Sequence, residues 1–221
     1  MKRRLALFDL DHTLLHGDSD VLWCEFLMDE GVLERADFAA RNADMEARYR
    51  AGTVGAAEFT VFYVGTLAGR SAGHWEPLRQ RFLREVVVPR IPVDAMALVR
   101  RHLQEDELVV MTTATTRFLA ELPARHFGIS HLLATDCEVR EGLFTGRTEG
   151  VLNMREGKVE RLQQWLGAQG LALPDFDSTA YSDSINELPL LEAADVAVAV
   201  DPDAKLAAVA RERGWRVISL R

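Results

Sequence analysis

Leu5-Ala6-Leu7-Phe8-Asp9-Leu10-Asp11-His12-Thr13-Leu14 decides how the rest of the chain is read. An apolar run of the kind that fills a strand buried on both faces ends in two carboxylates one residue apart. Side chains alternate along extended backbone, so Asp9 and Asp11 fall on one side, and their charges repel unless a cation or a proton stands between them. Thr13-Leu14-Leu15 and Gly17 then turn the chain away. The carboxylates are left at the carboxyl end of the strand, where open α/β sheets place their ligands. Taken alone, the pair fits a turn cap as well, because Asp is frequent there. Downstream signals shift the weight toward a catalytic site. Glu107-Leu108-Val109-Val110-Met111 is a second buried-strand run, ending in Thr112-Thr113-Ala114-Thr115 before a helical segment. Thr179-Ala180-Tyr181-Ser182 is a third, leading into Asp183-Ser184-Ile185-Asn186-Glu187, and Gly157-Lys158 opens the helix-patterned stretch from Val159 to Leu166.

Working outward, residues 1–16 hold the first strand, and from about residue 92 to 221 strand patterns alternate with helical ones. That alternation predicts an α/β class with a parallel sheet covered on both faces. Residues 17–91 instead show helical periodicity at Val21-Leu22 with Phe26-Leu27, at Phe38 to Tyr49, at Phe59 to Leu67 and at Trp75 to Val87. They predict an all-helical insert, with Gly52, Gly55, Gly69 and Gly73 at helix ends. Glu138 to Gly146 reads as a β-hairpin turning at Glu141-Gly142. There is no internal repeat and no low-complexity stretch.

Composition bounds the function. A chain of 221 residues that is 48% hydrophobic can bury one substantial core and a smaller module. No apolar run approaches the ~20 residues of a membrane span, and Met1-Lys2-Arg3-Arg4 enters a short strand instead of a leader's apolar region, so a cytoplasmic protein is expected. Cys24 and Cys137 lie far apart without a partner motif, which predicts free thiols and no structural zinc. The histidines are scattered. A net charge of −8 argues against a nucleic-acid surface, which needs clustered Lys and Arg. The alternating charges of Arg79-Gln80-Arg81 and Arg211-Glu212-Arg213 fit solvated helix faces. Nothing in the sequence fixes the oligomeric state.

The chain resembles the haloacid dehalogenase-like superfamily of phosphohydrolases over nearly its whole length. Asp9-Leu10-Asp11-His12-Thr13-Leu14 is similar to that superfamily's first motif, Thr113 to its second, Lys158 to its third, and Asp183 with Asn186 and Glu187 to its fourth. The motif order and the insert resemble the branch containing phosphoserine phosphatase. That resemblance implies a Rossmann-like core from residues 1–16 and 92–221, with residues 17–91 as a helical cap of the C1 type. It also implies a Mg²⁺-dependent phosphomonoesterase. Asp9 would attack phosphorus to give an aspartyl-phosphate, and Asp11 would protonate the leaving oxygen and then take a proton from water. Proximity to Asp9 is expected to raise the Asp11 pKa toward that task. Lys158 would supply fixed positive charge and Thr113 a hydroxyl to a phosphoryl oxygen, while Asp9, Asp183 and the backbone carbonyl of Asp11 would hold Mg²⁺.

Each residue has a plainer role available. Thr113 fits a strand-end threonine, Lys158 a solvated helix lysine, and Asp183 a helix N-cap with Asn186 and Glu187 in the first turn behind it. A helix starting at Asp183 would turn Asn186 and Glu187 back toward the metal, where they support it from outside the coordination sphere. At position 187 the phosphatases this chain resembles usually carry aspartate, and glutamate reaches about one methylene further, to metal-bound water or to Lys158. His12 has no assigned role. In the phosphoserine phosphatases an acid at the offset of Asp18 recognises the substrate ammonium. Asp18 therefore either holds an amine or caps the helix beginning near Asp20. The substrate arginine motif of that branch is not recognisable here. Tyr181-Ser182-Asp183-Ser184 and Pro189-Leu190-Leu191 instead resemble a bacterial subgroup that includes histidinol-phosphate phosphatases. The expected partner is a small phosphate monoester, an amino-alcohol phosphate such as histidinol phosphate first and phosphoserine next. The alternatives are phosphotransfer through the same intermediate and binding of a phosphorylated ligand without turnover. An acid at position 11 speaks against dehalogenation.

Overall fold

The computed structural model describes residues 2–221, the side chains of residues 50 and 56 excepted. Its first strand, β1 (Arg3–Phe8), is followed by four helices, α1 (Ser19–Asp29), α2 (Arg35–Ala51), α3 (Ala56–Val64) and α4 (Ala72–Phe82). The chain then alternates through α5 (Val93–Gln104), β2 (Leu108–Thr116), α6 (Arg117–Phe127), β3 (His131–Arg140), β4 (Leu143–Glu149) and α7 (Glu156–Gly167). It ends with β5 (Phe176–Ser182), α8 (Leu188–Ala193), β6 (Val196–Val200), α9 (Ala204–Arg213) and β7 (Arg216–Ile218).

The strands form one sheet in the order β4-β3-β2-β1-β5-β6-β7. All neighbours are parallel except β3 and β4, the expected hairpin. Its turn residues Glu141 and Gly142 have φ of 52° and 79°, the left-handed pair that a two-residue hairpin turn requires. From β1 the chain winds outward through β2 and β3, then returns to β5 on the other side of β1 and winds the opposite way. The switch point therefore lies between β1 and β5, with Asp9 and Asp183 just beyond the carboxyl ends of those two strands.

Alternation along β1 feeds two cores. Ala6 and Phe8 join α5 and α6 residues such as Val99 and Phe118, whereas Leu5 and Leu7 join Leu162, Leu190 and Leu206 of α7, α8 and α9. Both faces are thus covered, and the near-continuous apolar character of β1 follows from this double burial. A third cluster joins Val21, Cys24, Met45, Phe59 and Tyr63 of α1, α2 and α3 to Met154.

The residues between β1 and α5 are helical, with local departures. The segment predicted from Phe59 to Leu67 breaks at Val64 into a 3-10 turn, and that from Trp75 to Val87 leaves α-geometry at Phe82 for a π-helical turn. Gly52 ends α2 with φ 72° and Gly55 precedes α3, but Gly73 lies inside the first turn of α4. These helices also share the main core with the sheet. The Trp23 ring lies 5.2 Å from that of Phe82 and 6.2 Å from that of Phe118, and Arg79 donates to the Phe118 carbonyl at 2.7 Å.

Candidate active site

A cavity of about 630 Å³ opens at the switch point, and Asp9, Asp11, Asp18, Thr113, Asp183, Asn186 and Glu187 all line it. Lys158 is fully buried beneath it, with Nζ 2.8 Å from Asp9 Oδ1. All eight site residues predicted from sequence therefore converge, although they come from positions as far apart as 9 and 187.

Asp9 and Asp11 meet by a route other than strand alternation. β1 ends at Phe8, Leu10 accepts from the amides of Leu14 and Leu15 in a tight turn, and His12 has φ 56°. Asp11 therefore belongs to the turn. Its Oδ1 accepts from the Ser19 amide at 2.9 Å, its Oδ2 accepts from Thr115 Oγ1, and that hydroxyl contacts Ser19 Oγ at 2.9 Å. Burial, then the Asp18 charge, raises Asp11 to about 7, with a smaller contribution from Asp9 and with the Thr115 and Ser19 hydrogen bonds opposing. The direction is the one expected. The main cause is different, since enclosure does more than the neighbouring Asp9.

Thr113 is a buried strand residue, because β2 runs through residues 112–115 to Thr116. Its Oγ1 accepts from the Thr115 amide at 3.2 Å. The buried Asn153 amide donates to Thr112 Oγ1 at 3.0 Å and to the Thr113 and Leu133 carbonyls at 2.9 and 3.0 Å, tying β2 to β3 behind the cavity.

Lys158 stands near the start of α7, directly after Gly157. A Cβ on Gly157 would lie 2.1 Å from the Leu152 carbonyl oxygen, a closeness only glycine allows. Lys158 Nζ also pairs with Glu187 Oε2 at 2.5 Å. Burial opposes its charge, but Asp9 and Glu187 outweigh that and raise its pKa overall. Burial raises Glu187 to about 7, against the pull of Lys158. The extra methylene at position 187 is thus accommodated by contact with Lys158.

Asp183 does not cap the helix behind it. Ser184 does so, its hydroxyl accepting from the Asn186 amide at 3.2 Å, and Asp203 accepts from the Ile185 amide at 2.9 Å. That leaves the Asp183 side chain for the cavity. Thr13 Oγ1 lies 3.1 Å from Asp183 Oδ1 and 3.4 Å from Asp9 Oδ2, so one hydroxyl spans both carboxylates. Burial and Asp9 push Asp183 well above the usual carboxylate range. Asp18 is the N-cap of α1, with Oδ1 accepting from the Asp20 and Val21 amides at 3.0 and 3.1 Å.

Asp9, Asp11 and Asp183 bring carboxylates to the cavity, and Asp9 and Asp183 share the Thr13 hydroxyl. That chemistry fits a hard cation such as Mg²⁺, which takes one or two carboxylates and completes its shell with carbonyl, water and phosphate oxygens. No group of three or more His, Cys, Asp or Glu side chains able to hold a metal occurs among the described residues. Sequence reasoning missed Thr13, Ser19, Thr115, Asn153 and Asp203. Thr13 lies within the first motif and Thr115 two residues from Thr113, but the β2 register shifts between Thr113 and Thr116, so alternation alone does not place Thr115.

A profile of the haloacid dehalogenase-like hydrolases matches residues 6–192. The chain belongs to that family. This haloacid dehalogenase-like hydrolase is 34% identical over 221 residues to a histidinol-phosphatase of Neisseria meningitidis serogroup C, covering 99% of this chain and 100% of that one. It is 31% identical over 221 residues to the phosphoserine phosphatase SerB1 of Mycobacterium tuberculosis, covering 98% and 70%. A crystal structure of a Bordetella pertussis Tohama I protein of unknown function shares the fold at a TM-score of 0.95 with 45% identity, covering 100% of both chains.

Proposed function

We propose that this hydrolase is a phosphomonoesterase that works through an aspartyl-phosphate on Asp9, with a small amino-alcohol phosphate such as histidinol phosphate as its substrate. The observation that carries the reading is the buried Lys158 paired with Asp9 at 2.8 Å on the floor of a cavity that Asp11, Thr113 and Asp183 also line. A structural lysine gains little from such a position, whereas a nucleophilic carboxylate approaching an anionic phosphoryl group needs fixed positive charge beside it.

In the first step Asp9 Oδ attacks phosphorus, the bond from phosphorus to the ester oxygen breaks, and Asp11 gives its proton to that oxygen as the alcohol leaves. In the second step water attacks phosphorus, Asp11 takes the water's proton, and phosphate departs from a regenerated Asp9 carboxylate. A pKa of about 7 suits one group to both duties. Thr113 would donate to a phosphoryl oxygen, and Thr115 and Ser19 would hold Asp11 in place. Mg²⁺, held by Asp9, Asp183 and the Asp11 carbonyl with Asn186 and Glu187 behind it, would supply neutralisation of phosphoryl charge. Residues 17–91 would act as the cap that excludes water and selects the alcohol, with Asp18 contacting the ammonium. No helix among the described residues is long and apolar enough to cross a membrane, and Cys24 and Cys137 are free thiols, which supports action in the cytoplasm.

The test is phosphate release from a panel of metabolite monoesters with Mg²⁺ or with EDTA. The expected result is Mg²⁺-dependent release, with amino-alcohol phosphates ahead of neutral esters. Release from no ester by folded protein overturns the reading, and release only when an alcohol acceptor is present replaces hydrolysis with transfer.

A further inference from the structure

A buried polar chain that no step above uses lies behind the strand ends, on the α5 side of the sheet. His102, in the last turn of α5, is 8% exposed. Its Nδ1 stands 2.5 Å from Glu107 Oε2 and its Nε2 2.9 Å from the Tyr181 hydroxyl oxygen, while Arg4 Nη1 reaches the other Glu107 oxygen at 3.0 Å. Neither His102 nor Tyr181 is among the residues lining the cavity. Apolar side chains would fill such a place without the cost of burying polar groups, so a paired polar chain there serves to fix one arrangement of what it touches. What it touches is the end of β1. Tyr181 is the register partner of Phe8 across β1 and β5, and their rings stack 4.6 Å apart at 9°. The His102 ring stands edge-on to Phe8 at 5.4 Å and to Tyr181 at 5.5 Å, both at 71°. Asp9 follows Phe8, and its amide donates to the Tyr181 carbonyl at 3.1 Å. Asp183 follows Tyr181 by two residues.

We propose that His102 is a positioning residue for the nucleophile: acting through the Tyr181 hydroxyl and the Phe8 ring, it sets where Asp9 stands relative to Asp183. The inference rests on the reading of Asp9 as the nucleophile. It goes beyond that reading by naming a residue outside the cavity on which the geometry of attack depends. The tolerance at the site is narrow, because the one Thr13 hydroxyl spans Asp9 Oδ2 at 3.4 Å and Asp183 Oδ1 at 3.1 Å. Rotation of the Tyr181 ring away from His102 would loosen the Phe8 stack and let Asp9 drift, and a misplacement of ~1 Å at a reacting group is enough to cost ~100-fold in rate.

The test measures kcat and KM, normalised to folded fraction, on the wild type's preferred ester for His102→Leu, Tyr181→Phe, the double variant, His102→Gln and His102→Asn. The glutamine amide nitrogen takes the place of Nε2 and keeps the bond to Tyr181, whereas the asparagine nitrogen takes that of Nδ1 and keeps only the bond to Glu107. His102→Leu and Tyr181→Phe are each expected to lower kcat at least ~10-fold with KM changed less than ~2-fold, and the double variant to be no worse than either single. His102→Gln, but not His102→Asn, is expected to keep kcat within ~3-fold of the wild type. In parallel, exchange of the Asp9 amide hydrogen, followed by NMR, should quicken in His102→Leu and Tyr181→Phe relative to the other β1 amides. Folded variants whose normalised kcat is unchanged overturn the proposal, as does equal rescue by His102→Asn, which would make the polar chain a matter of stability alone. If the wild type releases no phosphate from any ester, the exchange decides: quickening in both variants keeps the hold of His102 on Asp9 while the phosphatase reading falls, and unchanged exchange overturns both.

Discussion

Lys158 is the residue at which stability and chemistry are most tightly joined. Its ammonium, fully buried, is paired with Asp9 and Glu187, so Lys158→Met would strand two carboxylates in a closed site. Breaking a buried ion pair in this way costs ~3–5 kcal/mol, and urea denaturation should show a loss of that order together with loss of turnover. A loss below ~1 kcal/mol would mean that water reaches the carboxylates and that the pairing is weak. Asp20 behaves in the opposite sense. Burial, then Asp18, then Asp11, raises its pKa, so the folded state binds its proton more tightly than the unfolded chain does. Its ionisation therefore destabilises the fold above the unfolded carboxylate pKa of ~3.9. Asp20→Asn should accordingly raise the Tm of the unliganded protein, by more at pH 8 than at pH 5. A gain independent of pH would contradict the uncompensated charge. At this scale the sequence singled out Asp9, Lys158 and Asp183 by the residue types the proposed chemistry demands, and the fold brings the three together. The sequence was illegible where an ordinary polar residue acquires its role from register alone. Ser19 and Thr115 orient Asp11 only because α1 begins where it does and because β2 runs on to Thr116.

At the scale of elements, α7 depends on its entry. Gly157 lets the Leu152 carbonyl come within contact of the helix start, and backbone on both sides leaves little room to yield. Gly157→Ala should destabilise by ~1–3 kcal/mol and should lower kcat by more than the loss of folded protein explains, since Lys158 is the next residue. Activity normalised to folded fraction checks this, and an unchanged normalised kcat contradicts it. Asn153 is the corresponding clamp for β2 and β3, and Asn153→Leu would strand the Thr113 and Leu133 carbonyls it bonds. A cost of ~1–3 kcal/mol is expected for such groups, measurable by denaturant melts. The parallel strands were readable because burial on both faces forces apolar runs, and the hairpin because Glu141-Gly142 suits left-handed backbone. The interruption of the helical pattern after Phe82 was not readable, because a π-helical turn keeps the same kind of apolar spacing while shifting its phase.

At the scale of the molecule, the doubly wound sheet was legible from the alternation of patterns, and the switch point between β1 and β5 explains why motifs distant in sequence meet. What the pattern did not disclose is how far the inserted helices join the core. Trp23 packs among Phe26, Phe82 and Phe118, and backbone bonds from Gly69 to Phe144 and from Phe144 to Arg70 stitch the α3–α4 connection to the hairpin. Such contacts arise from tertiary placement and leave no periodic trace.

The central claim, that Asp9 becomes phosphorylated, is tested most directly by acid-quenching the protein during turnover of a ³²P-labelled ester in Mg²⁺ and counting label on the polypeptide. The account predicts acid-stable, hydroxylamine-labile label on the wild type and none on Asp9→Asn, whose phosphate release should fall at least ~1,000-fold. Phosphate release without label on the protein, or label that persists in Asp9→Asn, would contradict it.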